Sequence, residues 1–293
     1  MEHSTPRPVI AILGTGAMAR YWAWVLKDRT PLIVGQAPPP YTINQGRREV
    51  LNLPYAAWHD PISTPPDVVL LLTKWRNLDV ARDWILRLAP NSLVVTLMNG
   101  MGQERALSPL PEQQIVAGIT TAAATRDDHD QRVVLIRSRG DTFLPHLSDH
   151  RLAFFERLAS PRIQWVSPEE LWMRRWQKLL FNSVINPLSA LADCPNGDLP
   201  RHPLWSLAPR LLDEGQAVAL AAGCQLGQNL TRKLGDLVEE TRLNVSSMLQ
   251  DVRQGLPTEI AAINGFLVNE GSTRGIPTPL NRALVDLIEA LAP

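Results

Sequence analysis

The chain has 293 residues, 45% of them apolar and 20% charged, which is enough apolar side chain for sizeable cores and too much for a disordered polypeptide. Its 29 Lys and Arg balance its 29 Asp and Glu, which argues against a binder of nucleic-acid backbone. No apolar run approaches the roughly 18 residues of a membrane span, and Cys194 and Cys224 are too few for a disulfide framework, so the expectation is a cytoplasmic protein of two domains, with no nucleic-acid or membrane partner.

Met1–Pro8 is polar and carries no signal-peptide pattern. Val9–Leu13 is a compact apolar run, followed by a glycine-rich turn and a helical stretch, Met18–Lys27. Leu32–Val34, Val68–Leu72, Leu93–Leu97 and Ile115–Thr120 are further short apolar runs of the kind buried in parallel sheets. Pro38–Pro40 reads as a loop, and Leu78–Leu88 as a sheet-packing helix whose apolar residues include Val80, Trp84, Leu86 and Leu88. Strands alternating with helices imply a doubly wound α/β sheet. Beyond Val166 the pattern changes. Ser167-Pro168-Glu169-Glu170 combines an N-cap, a first-turn proline and two acids suited to the positive end of a helix. Helices are expected near 168–193, 203–223, 229–243, 245–254, 258–270 and 278–291, giving a dinucleotide-type domain over 1–166 and an all-α domain over 167–293.

Gly14-Thr15-Gly16-Ala17-Met18-Ala19 follows the first strand and opens the first helix, the G-x-G-x-x-A form of the dinucleotide fingerprint. The first glycine permits the tight turn, the second lets a pyrophosphate approach the backbone, and the small third residue allows close helix–strand packing. Where NAD is preferred, the second strand ends in an acid that takes the ribose hydroxyls. Val34-Gly35-Gln36-Ala37 has neither that acid nor a cation that would favour NADP, and Lys74, beyond the strand Val68–Leu72, is either an adenosine-side contact or a solvated lysine. Asn99-Gly100-Met101-Gly102 follows another strand, at the carboxyl edge where such sheets bind ligands, or is a simple turn.

In the second half, Lys178, Asn182 and Asn186 stand at i, i+4 and i+8 along one face of an otherwise apolar helix, and Pro187 pushes Asn186 toward a break or kink. The plain alternative is a solvated face. It does not explain why a chain with four Lys against 25 Arg places a lysine here, and a lysine can give up a proton where an arginine cannot. Ser246-Ser247 and Thr258-Glu259 open two further helices, as ordinary caps or as a site for a substrate carboxylate. His146 and His150, and His129 within Asp127-Asp128-His129-Asp130, read as a hairpin turn and an exposed polar segment, and no metal is expected.

The segments GTGAMA (14–19), NGMGQE (99–104), KLLFNSVINPLSAL (178–191), CPNGDL (194–199) and SSMLQDVRQGLPTEIAAING (246–265) make the chain resemble the ketopantoate reductase (2-dehydropantoate 2-reductase) family over nearly its whole length. The resemblance implies a Rossmann-type domain followed by a helical one, with NADPH-dependent reduction of ketopantoate to pantoate, on the route to coenzyme A, in the cleft between them. It implies Lys178 as the general acid, with Glu259 organising Lys178 and touching the nicotinamide side. Asn182, Asn186 and Asn196 would hold the substrate's polar groups, and Ser247 with the Asn244–Ser246 segment its carboxylate. Gly14, Thr15, Gly16, Ala17, Met18, Ala19, Lys74, Asn99 and Ala124 correspond to the family's cofactor contacts. The partner would be a small 2-oxo acid, and the assembly a monomer or homodimer. Two departures stand out. Gln36 replaces an arginine for the 2′-phosphate, a contact worth about 1.5–3 kcal/mol, which opens the way to NADH. Ala122 stands where relatives carry histidine. The competing readings are a reductase of another branched 2-oxo acid, a non-catalytic NADPH sensor and, more remotely, a methyltransferase.

Overall fold

The computed structural model describes residues 7–291 except 45, 128, 129, 131, 148, 159 and 160, so Asp128 and His129 lie outside the described residues. The chain divides into two units, Met1–Met98 with Gln103–Leu171, and Asn99–Gly102 with Trp172–Pro293.

In the first unit, β1 (Ile10–Leu13) leads through the glycine turn into α1 (Ala17–Val25) and then β2 (Leu32–Val34). A hairpin follows, β3 (Tyr41–Asn44) and β4 (Arg48–Leu51), then β5 (Tyr55–Ala56), β6 (Val68–Leu71), α2 (Leu78–Leu88), β7 (Leu93–Thr96), the short α3 (Gln103–Ala106) and β8 (Ile115–Ala117). The unit is completed by β9 (Ile119–Thr120), β10 (Ala123–Arg126), β11 (Val133–Ser138), β12 (Asp141–Pro145) and β13 (Arg162–Val166). A six-stranded sheet in the order β5-β2-β1-β6-β7-β8 is parallel throughout. Helices on both faces make its central strands continuously apolar. Ile10 and Ile12 join the core of Trp22 on α1, while Ala11 and Leu13 join that of Trp84 on α2. The buried face of α2 is Leu78, Ala81, Trp84 and Ile85, a helical repeat. Two of the apolar residues expected on that face, Val80 and Leu86, are exposed.

Two smaller sheets complete the unit. A four-stranded sheet, β10-β11-β3-β4, joins two antiparallel hairpins through parallel pairing of β11 with β3. It covers the side of α1 turned away from the main sheet, with contacts from β3, β10 and β11. That double cover explains why AMARYWAWV is apolar nearly all round. A three-stranded sheet, β13-β12-β9, stands beside it in sequence. The run Ile115–Thr120, expected as one strand, is two, β8 in the main sheet and β9 in the three-stranded one. Gly118 makes the switch, because a Cβ there would lie 2.6 Å from the Leu144 side chain and 2.7 Å from the Phe143 carbonyl oxygen. His146 and His150, expected in a hairpin turn, are not in one, since they follow β12, whose partner β13 runs parallel to it.

The second unit is helical. It is built on α4 (Pro168–Ala192), whose first turn groups with the first unit, and on α5 (Ala208–Ala221), α6 (Leu230–Glu240), α7 (Ser247–Arg253), α8 (Ile260–Thr273) and α9 (Pro279–Leu291). Trp176, Leu180, Val184 and Leu188, spaced by four along α4, are buried in its core. The helix runs through Pro187 without the break its sequence suggests, and a side chain of α8 donates to the carbonyl that the proline cannot serve. No helix among the described residues is long and apolar enough to cross a membrane.

Candidate active site

The glycine turn has its shape for steric reasons. Gly14 has φ +123, and a Cβ there would meet the Leu72 carbonyl oxygen at 2.7 Å, so β1 and the end of β6 close together only because the residue lacks a side chain. Its N–H donates to the Val34 carbonyl at 2.8 Å. Gly16 caps α1 with no side-chain hydrogen bond and no acid in the first turn, and nothing lies within 4 Å of where its Cβ would be. The helix therefore presents its positive end and unclaimed N–H groups to open space, the arrangement that accepts a phosphate. Lys74 is the N-cap residue of a short turn two residues beyond Leu72, whose carbonyl faces Gly14. Ala124 on β10 packs with Ala17 against Ile43, Leu51 and Val134.

Past β2 the backbone is held by two tyrosine hydroxyls. Tyr55 donates to the Gly35 carbonyl and Tyr41 to that of Ala37, both at 2.6 Å. The Arg20 guanidinium stacks 4.5 Å from the Tyr41 ring centroid and is only 4% exposed, and burial beside Arg126 lowers its pKa. Arg48 pairs with Asn44 at the turn end of the β3–β4 hairpin, and Tyr41 with Leu51 at the other. Three strand residues, about 10 Å, thus separate Arg48 from the tyrosine that holds the Gln36–Ala37 loop.

On the helical unit, Lys178, Asn182 and Asn186 do line one face of α4. Lys178 is half-buried, and withdrawal of its ammonium from water pulls its pKa from 10.5 to about 8 against the opposing pull of the Glu259 carboxylate. Glu259 is 7% exposed at the N-cap of α8 and makes no side-chain capping bond, so ordinary capping does not account for it. The same helix start carries the Asn99–Gly102 loop. Gly100, at φ +81, leaves room for the Ala262 carbonyl oxygen, 2.5 Å from where a Cβ would sit, and the Met101 N–H donates to that oxygen at 3.2 Å. Asn99 is thereby tied to the turn that bears Glu259.

Farther along α4, Ser189 donates to the Asn186 carbonyl at 3.0 Å, and its hydroxyl lies 2.7 Å from that of Ser246. Ser246 caps α7 by accepting from the Leu249 N–H at 3.1 Å, so its hydroxyl is engaged on both sides. The 194–199 turn is pinned to the segment before α7. The Asn196 N–H donates to the Asn244 carbonyl at 3.0 Å and its amide nitrogen to Thr241 Oγ1 at 3.0 Å, while Gly197 gives its N–H to the Arg242 carbonyl. That leaves Asn196 Oδ1 buried without a partner among the described residues. The side-chain amides of Asn182 and Asn186 likewise make no hydrogen bond among the described residues, although Asn186 is 7% exposed. Native interiors rarely leave a buried atom such as Asn196 Oδ1 unsatisfied unless something else binds it.

Lys178, Glu259 and Asn99 therefore gather at the start of α8, and Asn186, Ser246, Asn196 and Asn244 around the start of α7, with Asn182 on the stripe between. Ser247 opens α7 beside them. The sequence reading missed Ser189 and Thr241, which position Ser246 and Asn196. Ser189 lies one turn past Asn186, and that spacing was the available signal. Among the described residues no group of three or more His, Cys, Asp or Glu is placed to hold a metal ion.

The chain matches the family models described as ketopantoate reductase PanE/ApbA over residues 10–148 and ketopantoate reductase PanE/ApbA C terminal over residues 170–292. It is 31% identical to 2-dehydropantoate 2-reductase of Yersinia pestis, over 96% of this chain and 94% of that relative. Among solved structures it is similar to a PanE/ApbA family ketopantoate reductase from Ralstonia eutropha JMP134, with TM-score 0.83, 25% identity, and 97% of this chain and 98% of that one covered. The fold is also similar to that of D-mandelate dehydrogenase solved with NADH and anilino(oxo)acetate, with TM-score 0.83, 22% identity, and 97% of each chain covered.

Proposed function

This chain belongs to the ketopantoate reductase family, and from that premise we propose that it reduces ketopantoate to pantoate with NADPH, Lys178 donating the proton. The observation that carries the reading is the stripe on α4, a lysine whose pKa is drawn to about 8 opposite Glu259, followed by two asparagines whose amides make no hydrogen bond among the described residues.

The glycine turn fits a pyridine dinucleotide. Gly14 and Gly16 admit a pyrophosphate at the open end of α1, and Lys74 and Ala124 flank it. A bound nicotinamide supplies the hydride. Everything else falls to side chains. Lys178 gives its proton to the oxygen of the carbonyl under reduction, and a pKa near 8 suits that role because the ammonium dominates at neutral pH yet releases its proton readily. Glu259 holds the ammonium against the pull of its apolar surroundings. Asn182 and Asn186 orient the substrate's polar groups, the buried Oδ1 of Asn196 accepts from a substrate hydroxyl, and Ser247 with Asn244 takes the carboxylate. Ser246, with both sides of its hydroxyl engaged, fixes that segment in place.

Gln36 supports a second cofactor reading, NADH, because it is uncharged where the family resemblance places an arginine. Purified protein assayed with ketopantoate, other branched 2-oxo acids and each nucleotide separates the possibilities. Rapid oxidation of NADPH with ketopantoate is expected. Higher kcat/KM with another oxo acid would transfer the assignment to that substrate. Higher kcat/KM with NADH would make Gln36 a specificity residue, and nucleotide binding without turnover on any oxo acid would leave a sensor. A small 2-oxo acid is then the only partner the chemistry requires, whether the chain works as a monomer or a homodimer.

A further inference from the structure

We propose that Asn264 is a positioning residue for the Lys178–Asn182–Asn186 stripe, holding by one buried hydrogen bond the turn of α4 that Pro187 would otherwise leave loose. The proposal rests on the reading that this stripe carries the reduction. Proline has no N–H, so inside α4 it deprives the Ser183 carbonyl of its usual helical donor, and its ring crowds the same group. Ser183 is wholly buried, so water is no substitute. The amide nitrogen of Asn264, itself 0% exposed, donates to that carbonyl at 2.9 Å.

The sense of this bond is set from outside the helix. Glu214 accepts the backbone N–H groups of Leu280 at 2.9 Å and Asn281 at 3.0 Å in the first turn of α9, and also the side-chain amide of Asn281 at 2.8 Å. Because a carboxylate only accepts, Asn281 must turn its nitrogen to Glu214 and its oxygen to Asn264. Asn264 donates to that oxygen at 3.0 Å, and its other amide hydrogen goes to Ser183. The chain Glu214–Asn281–Asn264–Ser183 is therefore polarised in one direction.

Its place in the fold gives it a catalytic consequence. Ser183 lies between Asn182 and Asn186 and five residues after Lys178, while Asn264 lies five residues after Glu259 on α8. A single bond thus fixes the helix that carries the lysine against the helix that carries its carboxylate, at the point where a proline-containing helix is freest to bend.

The test uses Asn264→Ala, Pro187→Ala and the double variant, each confirmed folded by circular dichroism at the assay temperature. Asn264→Ala is expected to lower kcat for ketopantoate by on the order of tenfold or more while NADPH affinity, read by fluorescence, stays within about twofold. Pro187→Ala restores a backbone donor to Ser183, so it alone should be near wild type, and in the double variant it should return most of the lost kcat. Hydrogen exchange across residues 184–191 should quicken in Asn264→Ala and slow again in the double variant. A folded Asn264→Ala enzyme with wild-type kcat, or a double variant as slow as the single one, overturns the proposal. If Asn264→Ala does not fold, the double variant decides, supporting the proposal when folded and active and overturning it when not. A wild-type protein that oxidises neither nucleotide with any oxo acid would defeat the reductase reading, and with it the catalytic part of this proposal. Exchange alone would then judge the brace, supporting it if quickened in Asn264→Ala and restored in the double variant, and overturning it if unchanged.

Discussion

Lys178 sits between two opposing forces, an apolar environment that disfavours its charge and a buried carboxylate that favours it. A lysine lowered to about 8 is mostly protonated at pH 7 and mostly neutral above pH 9. The proposed role as proton donor predicts a kcat that is level at neutral pH and falls as pH rises through about 8. Glu259 is the influence that raises this pKa. Glu259→Gln removes it, so the falling limb should move to lower pH, which a pH–rate profile of the two proteins reads directly. A limb that stays in place would mean that the carboxylate does not set the lysine's charge. Ser246 has a different weight at this scale. Its hydroxyl caps α7 and meets Ser189, so Ser246→Ala should cost about 1–2 kcal/mol of stability in urea unfolding, near the upper end for a cap. A loss of substrate affinity with no loss of stability would instead make it a direct ligand.

Among the elements, the glycine turn and the Asn99–Gly102 loop depend on missing side chains. At Gly14 a Cβ would meet the Leu72 carbonyl oxygen at 2.7 Å, and at Gly100 the Ala262 carbonyl oxygen at 2.5 Å, both at positive φ. Gly14→Ala should therefore weaken NADPH binding by at least about tenfold, roughly 1.4 kcal/mol. Gly100→Ala should instead leave binding at the turn less affected and lower kcat, because it displaces the loop from the helix start that bears Glu259. Fluorescence titration and steady-state kinetics on the two variants separate these outcomes, and equal effects of both on affinity would contradict the separate roles. The main-sheet strands and α2 were legible from apolar runs and helical spacing. The β3–β4 and β10–β11 hairpins were not, since YTIN alternates over only four residues, REVL and AATR do not alternate, and these strands are defined by pairing with each other around α1. Gly118 split one run into two strands through a contact with β12 distant in sequence. The face of α2 was misjudged at Val80 and Leu86 because several apolar residues fall off the buried stripe.

At the scale of the whole molecule, the parallel sheet offers an open helix end, and the helical unit offers a lysine of lowered pKa and buried amide oxygens without a partner among the described residues. Motif spacing made Lys178, Asn182 and Asn186 legible as one face, since helical period alone aligns them. What spacing could not give was the partnering. That Ser246 is engaged while Asn196 Oδ1 is not, or that Asn264 serves the carbonyl behind Pro187, depends on elements brought together from 57 and 81 residues away. The most direct test of the account is steady-state turnover of ketopantoate with NADPH at pH 7 for the wild-type protein and Lys178→Ala, with NADPH affinity measured in parallel. The account predicts turnover by the wild type and a fall of about 10²–10⁴-fold in the variant with affinity nearly unchanged. A variant that turns over as fast as the wild type would contradict it.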